Sequence, residues 1–524
     1  MNRCDFEHLL SSRIKRRSLL IGAGALTGLA LGSQWSKRVV AQPKFSGYPF
    51  SLGVASGDPL PDSVVLWTRL APNPLNKGAI PQQNYPVQWQ VSADESMKRI
   101  VRRGKVLATP EFGHSIHVDV QGLQPEQWYW YQFRVGNELS PIGRTRTAPA
   151  RGDRLNQLRF AFASCQDWQN GYYSAYKHMA EEDLDLVVHL GDYIYEYGPR
   201  PGKPRQHNSP EIITLTDYRN RYALYKTDPN LQAAHAAFPW IVTWDDHEVN
   251  NNYAGNHPED DQNKQAFLER RANAYQAYYE HMPLRRSSLP KGANMQLYRR
   301  FTFGDLADFN VLDTRQYRTN QPCGDGIKPR CKEAFDPNAT MTGKEQERWL
   351  FQGLAQSQAR WSAIAQQTML AEYNFDPRPD MKVFNLDQWD GYVAARNRLL
   401  EFLDQRQPSN PIVIAGDIHS SWVHDLKTDF SKPDSRTVGT EFVGTSISSD
   451  FPARFIAPVT AALASNPHTK FFNGEFRGYV RCHLTRDRWQ SDFRAVSTIL
   501  DQNATISTLA SFAVEDGRPG AQRA

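Results

Sequence analysis

Seven residues of this 524-residue chain combine side-chain types and surroundings that suit metal chemistry: Cys165, Asp192, Tyr195, Asp246, His247, Asp417 and His419. All sit just past short apolar runs. Residues 160–163 (FAFA) stop at Ser164-Cys165-Gln166-Asp167, and residues 184–190 stop at Gly191-Asp192. Residues 239–244 stop at Asp245-Asp246-His247-Glu248, and residues 411–415 at Gly416-Asp417-Ile418-His419. So many carboxylates beside imidazoles and a thiol exceed what one ion needs, so more than one metal is expected. In Gly191-Asp192-Tyr193-Ile194-Tyr195, a carboxylate at a strand end can bridge two cations, and Gly191 permits a close backbone approach. Tyr195 can turn its phenolate to the same ion, and a phenolate favours a hard, highly charged ion such as Fe3+. Asp417 and His419, two apart, share one side in extended backbone.

Each segment also has a bland reading. Gly191-Asp192 is an ordinary strand-to-loop turn, and Asp245 caps a helix with Glu248 at its third position. His247 is a satisfied structural histidine, Cys165 an inert buried thiol. Four such endings at the same end of four expected strands favour the metal site over the separate bland readings.

The elements that must position these groups follow from the apolar pattern. A helix over 172–182 joins the first two runs, and parallel strands so joined put both polar ends on one rim of a sheet. Open α/β sheets bind ligands there. Strand–helix alternation runs to about residue 445, with helices expected over 218–225, 264–280, 345–356 and 390–405. Thr342 and Glu345 form a capping box for the third. A strand over 301–315 ends in Leu312-Asp313-Thr314-Arg315. Residues 479–484 and 489–496 read as a hairpin, and 501–524 as a tail. Ahead of this α/β region, 48–149 holds short alternating strands divided by Pro, Gly and Asp, the pattern of an antiparallel β-sandwich. Leu123-Gln124-Pro125, followed by Tyr129 and Tyr131, matches a tyrosine corner. Residues 137–156 read as a linker.

A length of 524 residues with 22% charged and 40% hydrophobic residues suits two or three globular domains. The net charge of +5 is small for that length and gives no warrant for nucleic-acid binding. At the N-terminus, paired arginines (Arg16-Arg17) precede a mild apolar run over 21–31, and Val39-Val40-Ala41 offers small residues to a signal peptidase. This pattern reads as a twin-arginine signal over 1–41, cut at Ala41–Gln42, with export to the periplasm or medium. The run is too short for a membrane span. Cys4 leaves with the signal. Cys323 and Cys331 flank a Gly/Pro-rich loop and form either a local disulfide, as an oxidising compartment allows, or two free thiols. Cys482 reads as a buried small apolar residue.

Taken in order, the strand-ending Cys165, GDYIY (191–195), WDDHE (244–248) and GDIHSSW (416–422) resemble the D-type (PhoD-like) alkaline phosphatases, within the calcineurin-like metallophosphoesterases. The resemblance extends over the front region through GVASGDP (53–59) and VVLWTR (64–69). It implies a four-layered α/β/β/α catalytic core over 150–500, preceded by the sandwich. It also implies Fe3+ with Ca2+ rather than the commoner zinc. By the same resemblance, Cys165 stands where relatives have an aspartate, Asp192 bridges, Tyr195 supplies the phenolate and Asp246 replaces an asparagine. His247 faces the phosphate, and Asp417 and His419 match a G-H-x-H motif whose first His is replaced. Oxygen in place of nitrogen shifts the preference toward hard ions such as Ca2+.

The implied reaction is release of phosphate from monoesters by in-line attack of a metal-activated hydroxide, with no phosphoenzyme. Arg315 is the candidate cation for holding the phosphate. Phosphodiesterase or phospholipase D type activity on diesters or lipid head groups is the alternative. Two further readings compete: a cysteine hydrolase built on Cys165, and a surface-binding protein with an inactive core.

Overall fold

The first three apolar runs become adjacent parallel strands, Gln157–Ala163, Leu186–His189 and Pro239–Val242, at the centre of a ten-stranded sheet. Val187 is registered between Ala161 and Trp240. This is a computed structural model, in which residues 44–524 are described except 77–79, 260–262 and 379. The expected signal segment 1–41, with Cys4 and the Ala41–Gln42 cut, lies outside the described residues.

Both faces of these strands are buried, as a parallel sheet covered on both sides requires. Alternation decides which side chain goes where. Ala161, Ala163, Val187, Trp240 and Val242 face the helices Ser174–Glu181, Leu215–Lys226, Pro229–Ala237 and Lys264–His281. Phe160, Phe162, Val188 and Ile241 face the other way, onto a second sheet of seven strands. The fourth apolar run, Pro411–Ala415, lies in that second sheet, parallel to Trp361–Ala365 and Thr437–Val443. Its Ile412 and Ile414 meet the first sheet, while Val413 packs with Leu399 and Leu403 of the helix Val393–Arg406. The layers are therefore helix, sheet, sheet, helix, as expected. The fourth polar end comes from the facing sheet, not from the rim that carries the other three.

In the front region, Val54–Leu60, Ser63–Arg69 and Ser115–Gln121 form one layer and Tyr85–Ser92, Ile100–Ala108 and Trp128–Val135 the other. Val64, Leu66 and Val118 share a core with Val87, Tyr131 and Phe133, which makes the sandwich. The first layer also joins the ten-stranded sheet, because Ser56 and Gly57 pair in parallel with Pro239 and Trp240. Of the two corner candidates it is Tyr129 that serves: its hydroxyl accepts from the Gln124 N–H at 2.9 Å.

Four local readings need correction. Residues 506–523 are no tail but two strands, Ile506–Glu515 and Arg518–Arg523, that continue the large sheet beyond the Arg477–Thr485/Arg488–Val496 hairpin. The 137–156 stretch contains the short strands Glu138–Leu139 and Gly143–Arg146. The expected strand 301–315 is a hairpin, Arg299–Phe303 and Ala307–Val311, turning at Gly304 with φ +60°. Thr342 caps nothing, since Gly343 donates instead to the Thr340 hydroxyl at 2.9 Å. Cys323 and Cys331 form a disulfide, and Cys482 is buried with its sulfur 3.5 Å from the Ser491 hydroxyl.

Candidate metal centre

Strand endings deliver the candidate groups through backbone that most residues avoid. Cys165, Asp192, Asp417 and His419 have φ of 58°, 55°, 66° and 56°. A non-glycine residue in this left-handed region costs about 1–2 kcal/mol, and such residues cluster where a site over-determines them. The extended geometry expected for Asp417 and His419 is thus absent; each turns sharply instead. Gly191, with φ +118°, lies so close to its neighbour that a Cβ there would stand 2.5 Å from the Asp245 Cβ and backbone N. Glu248 braces the same contact, accepting from the N–H groups of Asp192 at 3.1 Å, Asp245 at 2.8 Å and Tyr193. It is a clamp between two strand ends, not a helix cap.

The side chains converge in three overlapping groups, each with ligand atoms within 4.8 Å of one another: Cys165, Asp192 and His419; Asp192, Asp246 and His247; Asp245, Asp246 and Asp417. Asp192 joins the first two groups and Asp246 the last two. Tyr195 belongs with the first, its hydroxyl 2.9 Å from Asp192 Oδ2 and 3.2 Å from His419 Nε2, with a bond from the Ser449 hydroxyl at 2.7 Å. His419 Nδ1 lies 2.9 Å from the Asp450 carbonyl, which can only accept, so that nitrogen carries the proton and Nε2 keeps a free lone pair. Burial pulls the His419 pKa down to about 4, which keeps the ring neutral.

His247 is set differently. Its Nδ1 is 2.7 Å from Glu196 Oε2, and its ring packs on Tyr195 at 4.2 Å between centroids. Burial disfavours the imidazolium, but Glu196, Asp246 and Asp192 outweigh it and hold the pKa well above the usual histidine value.

Arg315 does not face a substrate. It is fully buried, and its guanidinium donates to Asp245, to Asp387 at 2.7 Å and to Asp417 at 3.1 Å, with Asp246 at 3.6 Å. The phosphate-holding role is therefore corrected: this arginine is the internal counter-charge of the acidic cluster. The reading erred because a guanidinium after a strand end looks the same in sequence whether it points out or in.

The donor set fits cations. Asp192 Oδ1 and Asp246 Oδ1 are buried without a hydrogen-bond partner. Burial, reinforced by neighbouring carboxylates, pushes Asp192 and Asp245 well above the usual carboxylate range, and burial lifts Asp417 to about 6. Burial, then the Asp192 charge, likewise raises the Cys165 thiol and the Tyr195 phenol. Only a strongly positive ion turns such a thiol and phenol into ligands. Cys165 is poorly set to act as a hydrolase nucleophile: its sulfur donates to the Ser164 hydroxyl at 3.2 Å, burial and Asp192 raise its pKa, and among the described residues no imidazole hydrogen-bonds to it, His419 only sharing its cluster.

Comparison with known proteins decides the family. Residues 160–493 match the PhoD-like phosphatase family, and residues 34–149 match the N-terminal domain of PhoD-like phosphatases. The chain belongs to the PhoD-like phosphatase family. It is 53% identical to alkaline phosphatase D of Bacillus subtilis (strain 168) over 528 aligned positions, covering 99% of this chain and 90% of that protein. A solved structure titled "Structure of PhoD" superposes with a TM-score of 0.89 at 54% identity, covering 92% of this chain and 93% of that one.

In this PhoD-like phosphatase the structure gathers Cys165, Asp192, Tyr195, Asp246, His247, Asp417 and His419 around one cluster and adds residues not anticipated for it. Asp245 contributes a carboxylate, and Asp387 neutralises both Arg315 and Arg318, the latter at 2.5 Å. Glu196 and Ser449 orient His247 and Tyr195. Asp245 was legible as one of a pair in DDH. Asp387, in a loop reading NLDQW, carried no signal.

Proposed function

We propose that this PhoD-like phosphatase is an exported, metal-dependent phosphoric ester hydrolase that releases inorganic phosphate from small phosphate monoesters. Cys165, Asp192, Tyr195, Asp246, Asp417 and His419 hold a ferric ion and calcium. The observation that carries this reading is the link, through Asp192 and then Asp246, between a group with thiol, phenol and imidazole and the all-carboxylate group of Asp245, Asp246 and Asp417. The first set suits Fe3+ and the second suits Ca2+. When bound, such ions acidify water and polarise phosphoryl oxygens.

The chain's own groups supply the rest. His247, fixed through Nδ1 by Glu196, has Nε2 for an N–H donor to a phosphoryl oxygen or a proton for the leaving oxygen. Against burial, Glu196 first and then Asp246 and Asp192 keep that imidazole charged. The ring of Tyr195 stacks against it and limits its rotation, while Arg315 holds Asp245 and Asp417 in place from behind. Burial of the cluster, in which only Asp417 and His419 are partly exposed, strengthens these charge interactions relative to water.

Residues 48–149 act as the front module, and the catalytic module runs from 150 through the strands that end at Arg523. Residues 1–41 direct export by the twin-arginine route to the periplasm or beyond. Among the described residues no helix is long and apolar enough to cross a membrane. The test is elemental analysis of the purified mature protein beside assays on a monoester and a diester, before and after chelation. Iron with calcium and chelator-sensitive phosphate release are expected. Zinc alone, or full activity in Asp192→Asn, refutes the assignment. Faster turnover of the diester would move the substrate class to phosphodiesters.

A further inference from the structure

The disulfide loop between Cys323 and Cys331 takes no part in the reading above, yet hydrogen bonds connect it to the acidic cluster. Asp325, inside the loop, accepts from the Asn252 side-chain amide at 2.6 Å. Asn252 in turn donates its backbone N–H to Asp246 Oδ2 at 2.6 Å. That bond occupies one oxygen of Asp246 and leaves Oδ1 buried without a hydrogen-bond partner, 3.6 Å from the Arg315 guanidinium, in a residue that belongs to two of the three groups. Asn252 holds φ +48°, so its N–H direction depends on outside support. Gln321 supplies some, donating to the Asn252 carbonyl at 2.7 Å and to Asp387 at 2.8 Å. On its far side the loop is pinned to the chain ahead of Asp387, with Ile327 pairing with Asn385 and Leu386 donating to the Gly326 carbonyl at 3.1 Å. Asn252 and Asp325, with His257 and Glu259, also line a cavity of about 430 Å3.

We propose that Asp325 is a positioning residue for Asp246, acting through Asn252, and that the Cys323–Cys331 disulfide holds Asp325 in place to do so. The proposal rests on Asp246 as a metal ligand. Cross-linking residues 323 and 331 removes most conformations of the intervening segment and leaves the Asp325 carboxylate where Asn252 can reach it. Residues that orient a metal ligand in this way change metal affinity by about 10–100-fold when lost.

Three variants of the full mature chain test this: Asp325→Ala, Asp325→Asn and the double variant Cys323→Ser/Cys331→Ser. The readouts are the calcium dissociation constant by titration calorimetry, kcat and KM on one aryl phosphate ester, and the melting temperature. Asp325→Ala should weaken calcium binding about 10-fold and lower kcat with little change in KM. Asp325→Asn keeps an acceptor oxygen for the Asn252 amide and should recover calcium affinity to within about 3-fold of wild type. The cysteine variant should shift calcium affinity in the same direction as Asp325→Ala. Calcium affinity and kcat both at the wild-type level in Asp325→Ala overturn the proposal, as does an Asp325→Asn protein no better than the alanine variant. If Asp325→Ala does not fold, an unchanged calcium affinity in the cysteine variant overturns it instead. A wild-type protein that binds no calcium and releases no phosphate would refute the metal reading itself, a different outcome from an active wild type with unperturbed variants.

Discussion

Replacing Arg315 by methionine separates an internal counter-charge from a phosphate ligand. The guanidinium is fully buried and donates to three carboxylates, Asp245, Asp387 and Asp417, with Asp246 a little farther at 3.6 Å. Methionine fills much of the volume but leaves these carboxylates without their shared cation. Removing one partner of a buried ion pair costs about 3–5 kcal/mol, because the remaining charge stays desolvated and unpaired. Protonation of Asp417, whose pKa burial already lifts to about 6, offsets part of the loss at low pH. With an unfolding entropy of about 2.1 cal/mol/K per residue over roughly 480 residues, ΔS is near 1 kcal/mol/K, so the melting temperature should fall by about 3–5 °C. The assay is differential scanning calorimetry of metal-stripped wild type and variant at pH 7.5, repeated with excess calcium. The deficit should shrink when calcium is present, since added cations replace the missing charge. A variant that melts within 1 °C of wild type and merely shows a raised KM would refute the counter-charge role and restore Arg315 as a substrate contact.

Two further outcomes follow from local geometry. Gly191→Ala forces a Cβ to within 2.5 Å of Asp245 at φ +118°, so the two strand ends must separate; phosphate release should fall at least 10-fold, by the loss of about 1.4 kcal/mol or more in positioning, and retention of full activity in a steady-state assay would show that the contact is dispensable. Lys226 is buried over the rings of Trp67 and Tyr193, at 4.3 and 5.2 Å, and burial pulls its pKa from 10.5 to about 7. The unfolded chain therefore binds more protons between pH 7 and 10.5, so this group's destabilisation is complete below pH 7 and vanishes as pH rises toward 10.5, amounting to about 3–5 kcal/mol at most. Lys226→Met should raise the melting temperature at pH 7 and show a shrinking advantage toward pH 10; melting curves that differ equally at both pH values would contradict this.

Side-chain chemistry and local pattern determined a great deal on their own. Apolar runs of strand length ending in Cys165, Asp192, Asp246 and Asp417 pointed to the strand ends whose side chains the structure brings into one cluster, since a buried parallel strand must be apolar until it emerges at the rim. Alternation in the front region pointed to a sandwich and Leu123-Gln124-Pro125 to its corner, whereas the choice of Tyr129 over Tyr131 came only with the structure. What the tertiary structure alone decided is direction and company. The left-handed turns at Cys165, Asp192, Asp417 and His419 are imposed by packing of two sheets, and no propensity of those residue types encodes them. The inward aim of Arg315, and its pairing with Asp387 72 positions away, depends on two loops meeting over a shared core. The strands 506–523 form because an open sheet edge beside Arg488–Val496 offers hydrogen bonds that a tail in water would not find. Local pattern specifies which residues leave the core; only the assembled sheets specify which of them meet.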